Sequence, residues 1–163
     1  MTLYKQAIRD DRVREYVPAA RTVLSEGFSK PDFFIGRQAI QSLNTLTDAD
    51  QVTVKKGAYI LLDFGLELHG GIRIVTGGGG RGKVRVRFGE SVSEAMQTPN
   101  QDHSIHDAEL ELPMMGMMEY GCTGFRFVRI DILADQLNLI NVIAVALYRD
   151  LERGGSFGCS GSV

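Results

Sequence analysis

The chain has 163 residues, of which 44% are hydrophobic and 23% are charged, a composition typical of one folded domain rather than a disordered segment. Lys and Arg number 18 against 20 Asp and Glu, a net charge of −2, so neither nucleic acid nor an anionic membrane is expected as a partner. The sequence contains no apolar run of about 18 residues and begins without the apolar core of a signal peptide. We therefore expect a soluble protein, whose compartment these features leave open.

The N-terminal segment, residues 1–26, precedes the first strong strand pattern and is expected to pack on the main domain. Residues 3–17 combine many charges with an imperfect apolar stripe, which favours a short amphipathic helix. Pro18 disfavours helix at the residue before it, and an extended segment should follow, up to a turn at Gly27. Residues 27–36 are expected to form a loop with a small apolar patch.

From residue 52 onward the hydrophobic pattern has the period of two that is typical of β-strands. In the clearest case, residues 83–88, three apolar side chains alternate with three basic ones, and the basic ones are expected to face solvent. In residues 124–133, Phe125, Phe127 and Ile130 are expected to lie opposite Arg126 and Arg129. The remaining predicted strands fall within residues 51–56, 58–65, 70–77, 108–113 and 137–150.

Seven to nine short strands separated by turn signals are typical of an all-β sandwich or barrel. Alternating apolar and polar positions indicate antiparallel sheets with one solvated face. We predict an all-β fold, an antiparallel β-sandwich of the jelly-roll or concanavalin-like type, that occupies residues 27–151.

A glycine-rich stretch, Gly77 to Lys83, matches the start of the phosphate-binding pattern G-x-x-x-x-G-K-[ST]. Val84 stands where the pattern requires Ser or Thr, and a strand rather than a helix is predicted to follow. The free N–H groups of a helix N-terminus, which would hold the phosphate, are therefore not expected. We predict a mobile hairpin loop over residues 77–82 instead of a nucleotide site.

One polar segment contains residue types that bind metals: His103 and His106 are close in sequence to Asp102, Asp107 and Glu109. The two histidines are three residues apart in a predicted loop, which differs from the four-residue spacing of a helical ligand pair. A polar loop without a metal is the preferred interpretation.

Four acidic residues are candidates for the paired carboxylates of a glycosidase: Asp63, Glu67, Glu90 and Glu94. Charges on a solvated strand face are the alternative. His69 is expected to be a surface histidine, and Cys122 and Cys159 are expected to be reduced thiols, since their spacing fits no zinc pattern. Residues 113–118, which contain four methionines, suit either a core loop, the preferred interpretation, or a flexible contact surface.

The longer motifs identify a family. In chain order they are DDRVREYVPAARTV, ILLDFGLELHGGIRIVTG, KVRVRFGESVSEAM, DHSIHDAELELP, GFRFVRIDIL and GSFGCS. Together they resemble the accessory β-sandwich region of large multidomain bacterial α-L-rhamnosidases, from about residue 9 to about residue 160. The resemblance is most specific in LDFGLELHGG, RFGESVSEA and GFRFVRID, and weakest over residues 27–51.

The resemblance implies a β-sandwich that, in the family, precedes an (α/α)6 barrel. That barrel carries the general acid and general base of an inverting glycosidase that acts on terminal α-L-rhamnosides. The family continues past the GSF-CS motif with an acidic residue and the first barrel helix, whereas here Gly161 stands at that place and the given sequence ends at Val163. None of the family's catalytic carboxylates has a counterpart, so we expect residues 152–163 to be a linker and the chain alone to be inactive.

We therefore expect a non-catalytic sandwich domain with no catalytic, cofactor-binding or metal-binding residues and no cofactor. Its expected partners are a rhamnoside or other carbohydrate, a catalytic barrel, or a second copy of the chain. The family often acts in the periplasm or outside the cell. A stand-alone carbohydrate-binding module is the alternative, which the absence of Trp weakens, and an independent enzyme using Glu90 and Glu94 is a third hypothesis.

Overall fold

The computed structural model describes residues 12–40, 50–98 and 106–149. These residues form eight strands, a 3₁₀ turn (Pro31–Phe34) and one short helix, α1 (Val92–Met96). The strands are β1 (Arg12–Pro18), β2 (Arg21–Glu26), β3 (Val52–Lys55), β4 (Tyr59–Thr76), β5 (Gly82–Gly89), β6 (Asp107–Leu112), β7 (Met117–Ile132) and β8 (Gln136–Arg149). Within the described residues, no helix has the length and hydropathy needed to span a membrane.

Antiparallel pairing joins the strands in the order β1-β8-β4-β7-β5-β6, with β2 added to β4 and β3 to β8. The two longest strands, β4 and β7, contribute to both layers. The first half of β4 pairs with β2 and with the second half of β7, which continues to β5 and β6. The second half of β4 pairs with β8, which continues to β1. The predicted antiparallel β-sandwich is confirmed.

The main core lies between the two layers and is built from alternate residues of the strands, as period-two patterning requires. Phe125 lies at its centre, with its ring edge-on to Phe64 and Phe88 at centroid distances of 5.8 and 5.0 Å. A smaller cluster lies on the outer face of the β5–β7 layer, where Ala95 of α1 packs against Leu61 and Phe127. Most strands therefore have one face in the main core, whereas β2 contributes only Val23 to the smaller cluster, and α1 covers part of the outer face of the β5–β7 layer.

A corner in β4 connects the two layers. Residues 64–67 of β4 lie opposite Arg126 alone in the pairing with β7, so the chain bulges and bends there. Asp63, which is 1% exposed, accepts hydrogen bonds from Arg21, from Arg126 and from the N–H of Gly65. The bonds from Arg126 outweigh the effect of burial and hold the pKa of the Asp63 carboxyl well below its ordinary value.

The predicted helix over residues 3–17 is wrong for residues 12–17, and residues 3–11 lie outside the described ranges. Residues 12–18 form β1, which pairs along its whole length with β8, from Arg12 opposite Arg149 to Pro18 opposite Ile143. Strand pairing outweighs the weak helical propensity of these residues, because without β1 the edge of β8 would leave a row of backbone N–H and C=O groups unpaired. Pro18 ends this strand, a position that proline tolerates.

Residues 124–133 belong to β7, but their two phenylalanines do not share a face. Phe125 lies in the main core, whereas Phe127 lies on the outer face against Leu61. The irregular pairing of β7 with the β4 corner falls between these two residues. It shifts the alternation of inward-facing and outward-facing side chains in β7 by one residue. The predicted facing is therefore right for Phe125 and Ile130 and wrong for Phe127.

The glycine-rich loop is flanked by strands, as predicted, and no helix begins at Lys83. The prediction of a hairpin is wrong, because β4 and β5 are not paired and β7 lies between them in the sheet order. The loop crosses instead from one layer to the other. Gly77 donates its N–H to the carbonyl of Asn138, and the side-chain amide of Asn138 donates to the carbonyl of Gly78.

Candidate functional site

A cavity of about 360 Å³ lies on the outer face of the β5–β7 layer, beside the C-terminal end of α1. Its charged lining residues come from the strands and are Arg85, Arg87, Arg129 and Asp131. Its other lining residues are Met96, Gln97, Thr98 and Leu133. We call this space the arginine cavity. Its volume falls within the range of small-molecule sites, about 300–1,000 Å³.

Helix α1 forms one wall because the chain folds back sharply after β5. Ser91 caps the helix by accepting a hydrogen bond from the N–H of Glu94, and the Glu94 carboxylate accepts one from the N–H of Glu90, which is close to a capping box. Gly89 allows the close approach, since a Cβ at that position would lie only 2.7 Å from the backbone nitrogen of Ala95. The end of α1 is thereby held over the arginines of the sheet.

Arg129 contacts Asp131, Tyr59 and Met96 through its guanidinium. Its Nε and Nη2 donate to Asp131 Oδ1 at 3.0 and 2.6 Å, and its guanidinium stacks on the ring of Tyr59 at 4.6 Å from the centroid. Its Nη1 points to the sulfur of Met96 at 3.6 Å, and a thioether is a weak acceptor. The guanidinium is thus fixed in orientation while Nη1 keeps donor capacity for a better acceptor.

Arg87 is 2% exposed, which contradicts the prediction that all three basic residues of β5 face solvent. It donates to Asp107 Oδ2 at 2.6 Å, and Asp107 also lies 3.3 Å from Nε of Arg85. Arg85 forms a further ion pair with Glu109. The basic side chains of β5 lie on the outer face of the sheet, as the alternation predicts, but α1 and the neighbouring strands shield Arg87 from water.

Three of the four candidate carboxylates lie together at one end of the sandwich. A methyl group on Gly124 would lie 3.3 Å from Glu90 Oε1 and 3.6 Å from Glu67 Oε1. Burial, with smaller contributions from the charges of Glu90 and Glu94, raises the pKa of Glu67. Asp63 is separated from this group chemically, because its two arginine partners keep it ionised. None of the four lines the arginine cavity or the two cavities described below.

Of the residues considered as candidates for a metal site, Asp102 and His103 lie outside the described residues. The backbone carbonyl of His106 accepts a hydrogen bond from the N–H of Phe88, and Asp107 and Glu109 form ion pairs with arginines of β5. The ranges that the structure describes contain no group of three potential metal ligands.

His69 is at the surface, as predicted, with its Nε2 3.8 Å from the sulfur of the exposed Cys122. Cys122 is a free thiol, and Cys159 lies outside the described ranges. The two residues form a single weak contact between neighbouring strands.

Two further cavities differ in chemistry from the arginine cavity. One, of about 590 Å³, is lined largely by Leu112, Pro113 and methionines of residues 114–118, with Arg81 and Glu111 at its edge. Met114, Met115 and Met117 are 44–59% exposed, so the preferred prediction of a core loop is wrong and the alternative of a contact surface fits. The other cavity, of about 150 Å³, lies between Arg14, Tyr120 and Leu147.

No family model and no curated protein sequence matches the chain. Among solved structures, the chain is similar to a rhamnosidase from Klebsiella oxytoca with rhamnose bound, with a TM-score of 0.58, 15% identity and coverage of 83% of this chain and 29% of that one. It is also similar to the CBM32 of AlyQ in complex with 4,5-unsaturated mannuronic acid, with a TM-score of 0.52, 12% identity and coverage of 80% and 97%. A third similar structure, truncated AlyQ with CBM32 and alginate lyase domains, has a TM-score of 0.55, 11% identity and coverage of 89% and 36%.

At these identities the likenesses show a shared fold. The chain is a β-sandwich of the type found in CBM32 carbohydrate-binding modules. It spans about a third of the rhamnosidase and of the truncated AlyQ chain, and nearly all of the isolated CBM32 domain.

The sequence pattern did not predict that the residues lining the arginine cavity would form a cavity. Arg85, Arg87 and Arg129 fit a solvated strand face, and nothing in their spacing shows that β5 and β7 are neighbours. A signal for the wall did exist, because Ser91 and Glu94 have the S-x-x-E spacing of a helix N-terminus. Recognising α1 would have shown that part of the outer face is covered.

Proposed function

We propose that the chain is a non-catalytic carbohydrate-binding domain and that the arginine cavity is its binding site. The observation that carries the proposal is the mixed lining of this cavity, in which guanidinium, carboxylate, amide and hydroxyl groups surround Met96 and Leu133. The fold adds support, since similar sandwiches are carbohydrate-binding modules.

A sugar ring suits this lining because it presents hydroxyl groups at its rim and C–H groups on its faces. Asp131 accepts hydrogen bonds, Arg129 donates them, and Gln97 does both. The ring faces would lie against the apolar surfaces of Met96 and Leu133. The methionine-rich cavity lacks this balance of polar and apolar groups, and the carboxylates at the end of the sandwich lie outside the cavities described.

Binding should depend on Gln97 and Thr98, whose side chains are exposed at the cavity. We expect the double substitution Gln97→Ala and Thr98→Ala to weaken carbohydrate binding about tenfold, because each lost hydrogen bond contributes about 0.5–1.5 kcal/mol. Isothermal titration calorimetry with a panel of mono- and oligosaccharides that includes L-rhamnose measures this effect.

The matched control is Thr53→Ala, which removes a hydroxyl bonded to Asn138 on β8, outside the cavity. It should bind as the unaltered chain does. The proposal fails if no sugar of the panel gives heat at millimolar concentration, or if the double variant binds as well as the control.

A second proposal concerns the larger protein. The motifs that resemble α-L-rhamnosidases, together with the TM-score of 0.58 to a rhamnosidase, support an accessory β-sandwich whose partner is a catalytic barrel. The chain alone should not hydrolyse 4-nitrophenyl α-L-rhamnoside. Sequencing the messenger RNA tests the parentage: a reading frame that continues past Val163 into a helical catalytic domain supports it, and a stop codon directly after Val163 contradicts it.

A further inference from the structure

We infer that the arginine cavity binds an acidic sugar, with Arg87 and Arg129 receiving its carboxylate. This inference rests on the proposed carbohydrate-binding function and names the class of ligand. It follows from the strand register, from the contacts of Arg129 and from the burial of Arg87.

The register places two like charges side by side. Arg87 of β5 is directly opposite Arg129 of β7, and like charges at directly opposed positions destabilise a sheet. The acidic neighbours lie to either side of this pair, with Asp107 opposite Arg87 on β6 and Asp131 two residues along β7. A negative group between the two guanidiniums would remove their repulsion.

The two guanidiniums are positioned for such a group. Stacking on Tyr59 and the hydrogen bonds to Asp131 fix the plane of the Arg129 guanidinium. The acceptor for its Nη1 is the sulfur of Met96, which accepts hydrogen bonds only weakly. Arg87, 2% exposed, lines the same cavity and is anchored by Asp107. A guanidinium held in this way loses little freedom on binding, and its planar donors match a carboxylate.

The charge of the cavity wall favours an anionic ligand. Three arginines and one aspartate line the cavity. The other two carboxylates that pair with Arg85 and Arg87, those of Asp107 and Glu109, are not among its lining residues. A sugar ring that carries a carboxylate would place the acid at the strands and its hydroxyls toward Gln97 and Thr98. A neutral sugar would add no negative charge between the two opposed guanidiniums.

Calorimetry with matched sugars tests the inference. The probes are D-glucuronic, D-galacturonic and D-mannuronic acids, each compared with its neutral counterpart, D-glucose, D-galactose or D-mannose, and sodium acetate serves as a carboxylate without a ring. We expect at least one acid to bind about tenfold or more tightly than its neutral counterpart and than acetate. The preference should shrink as salt rises from about 0.05 to about 0.5 M.

Arg129→Gln should abolish the preference for the acid, because it removes one of the two guanidiniums that would receive the carboxylate. A merely structural arginine would leave the preference for the acid unchanged in the folded variant, whatever its effect on stability. Arg129→Lys keeps the charge but loses the planar fork, so it should fold and show a weakened preference. Arg14→Gln removes the same charge from β1, where Arg14 pairs with Glu119, and should keep the preference.

The outcomes separate the two proposals. Neutral sugars that bind as tightly as the acids overturn the acidic-sugar inference and leave carbohydrate binding intact. Acetate that binds as tightly as the acids overturns the inference, and carbohydrate binding then stands only if a neutral sugar also binds. A preference that survives in Arg129→Gln also overturns the inference. The absence of binding to any sugar overturns both.

Discussion

Replacing Gly70 by alanine is expected to lower the free energy of unfolding by about 4 kcal/mol and the melting temperature by roughly 10 °C. Gly70 lies in β4 between β7 and β8, opposite Thr123 and Ala146. A Cβ there would lie 1.9 Å from the carbonyl oxygen of Val145, and the φ angle is 149°. The loss combines backbone strain of about 1–3 kcal/mol with broken sheet hydrogen bonds of about 1 kcal/mol each.

Gly80→Ala is the matched control, because Gly80 also has a positive φ, 125°, but no atom lies within 4 Å of its would-be Cβ. This variant should lower the free energy of unfolding only by the strain of placing an alanine at a positive φ, about 1 kcal/mol. Urea denaturation of both variants measures the difference. Equal losses in the two variants would contradict the close packing of β4 against β8.

Asp63→Asn is expected to lower the free energy of unfolding by about 3 kcal/mol at pH 7. The substitution keeps the shape of the side chain but turns amide hydrogens toward Arg21 or Arg126, and it leaves a buried group without its charge-assisted bonds. Arg21→Ala, by contrast, should cost no more than about 1 kcal/mol, because Arg21 is 64% exposed and water can replace it.

The effect of Asp63→Asn should depend on pH in a defined direction. The pKa of Asp63 is lower in the folded chain than its ordinary value of 3.8, so the ionised group stabilises the fold above that value and loses its contribution as the pH falls below it. The difference between the unaltered chain and the variant should therefore shrink from pH 7 to pH 3. A difference that is unchanged at pH 3, measured by urea denaturation, would contradict the buried ion pairs at the β4 corner.

Strands with a clean alternation could be predicted from their own residues. The residues of β5 and β6 alternate because one face of each strand lies against the core. Strand β8 is a continuous apolar run because residues on both of its faces are buried. The β4 corner could not be predicted in this way, since the bend depends on Asp63 meeting arginines that are far away in sequence. The facing of Phe127 follows from that corner and was missed for the same reason.

The candidate site depends on register, which no local pattern contains. Arg87 and Arg129 each fit a solvated position in their own strand, and only the pairing of β5 with β7 places them opposite each other. Glu67 and Glu90 are likewise brought together by tertiary structure, beside Gly124. The sequence could thus supply the types of residue on the outer face but not the cavity that they form.

Backbone amide NMR during titration with the best-binding sugar tests the central claim most directly. If the arginine cavity is the binding site, the shifts that change most should belong to residues 85–87, 96–98 and 129–133. Shifts centred on Glu67, Glu90 and Gly124, or on residues 113–118, would place the ligand elsewhere and contradict the claim.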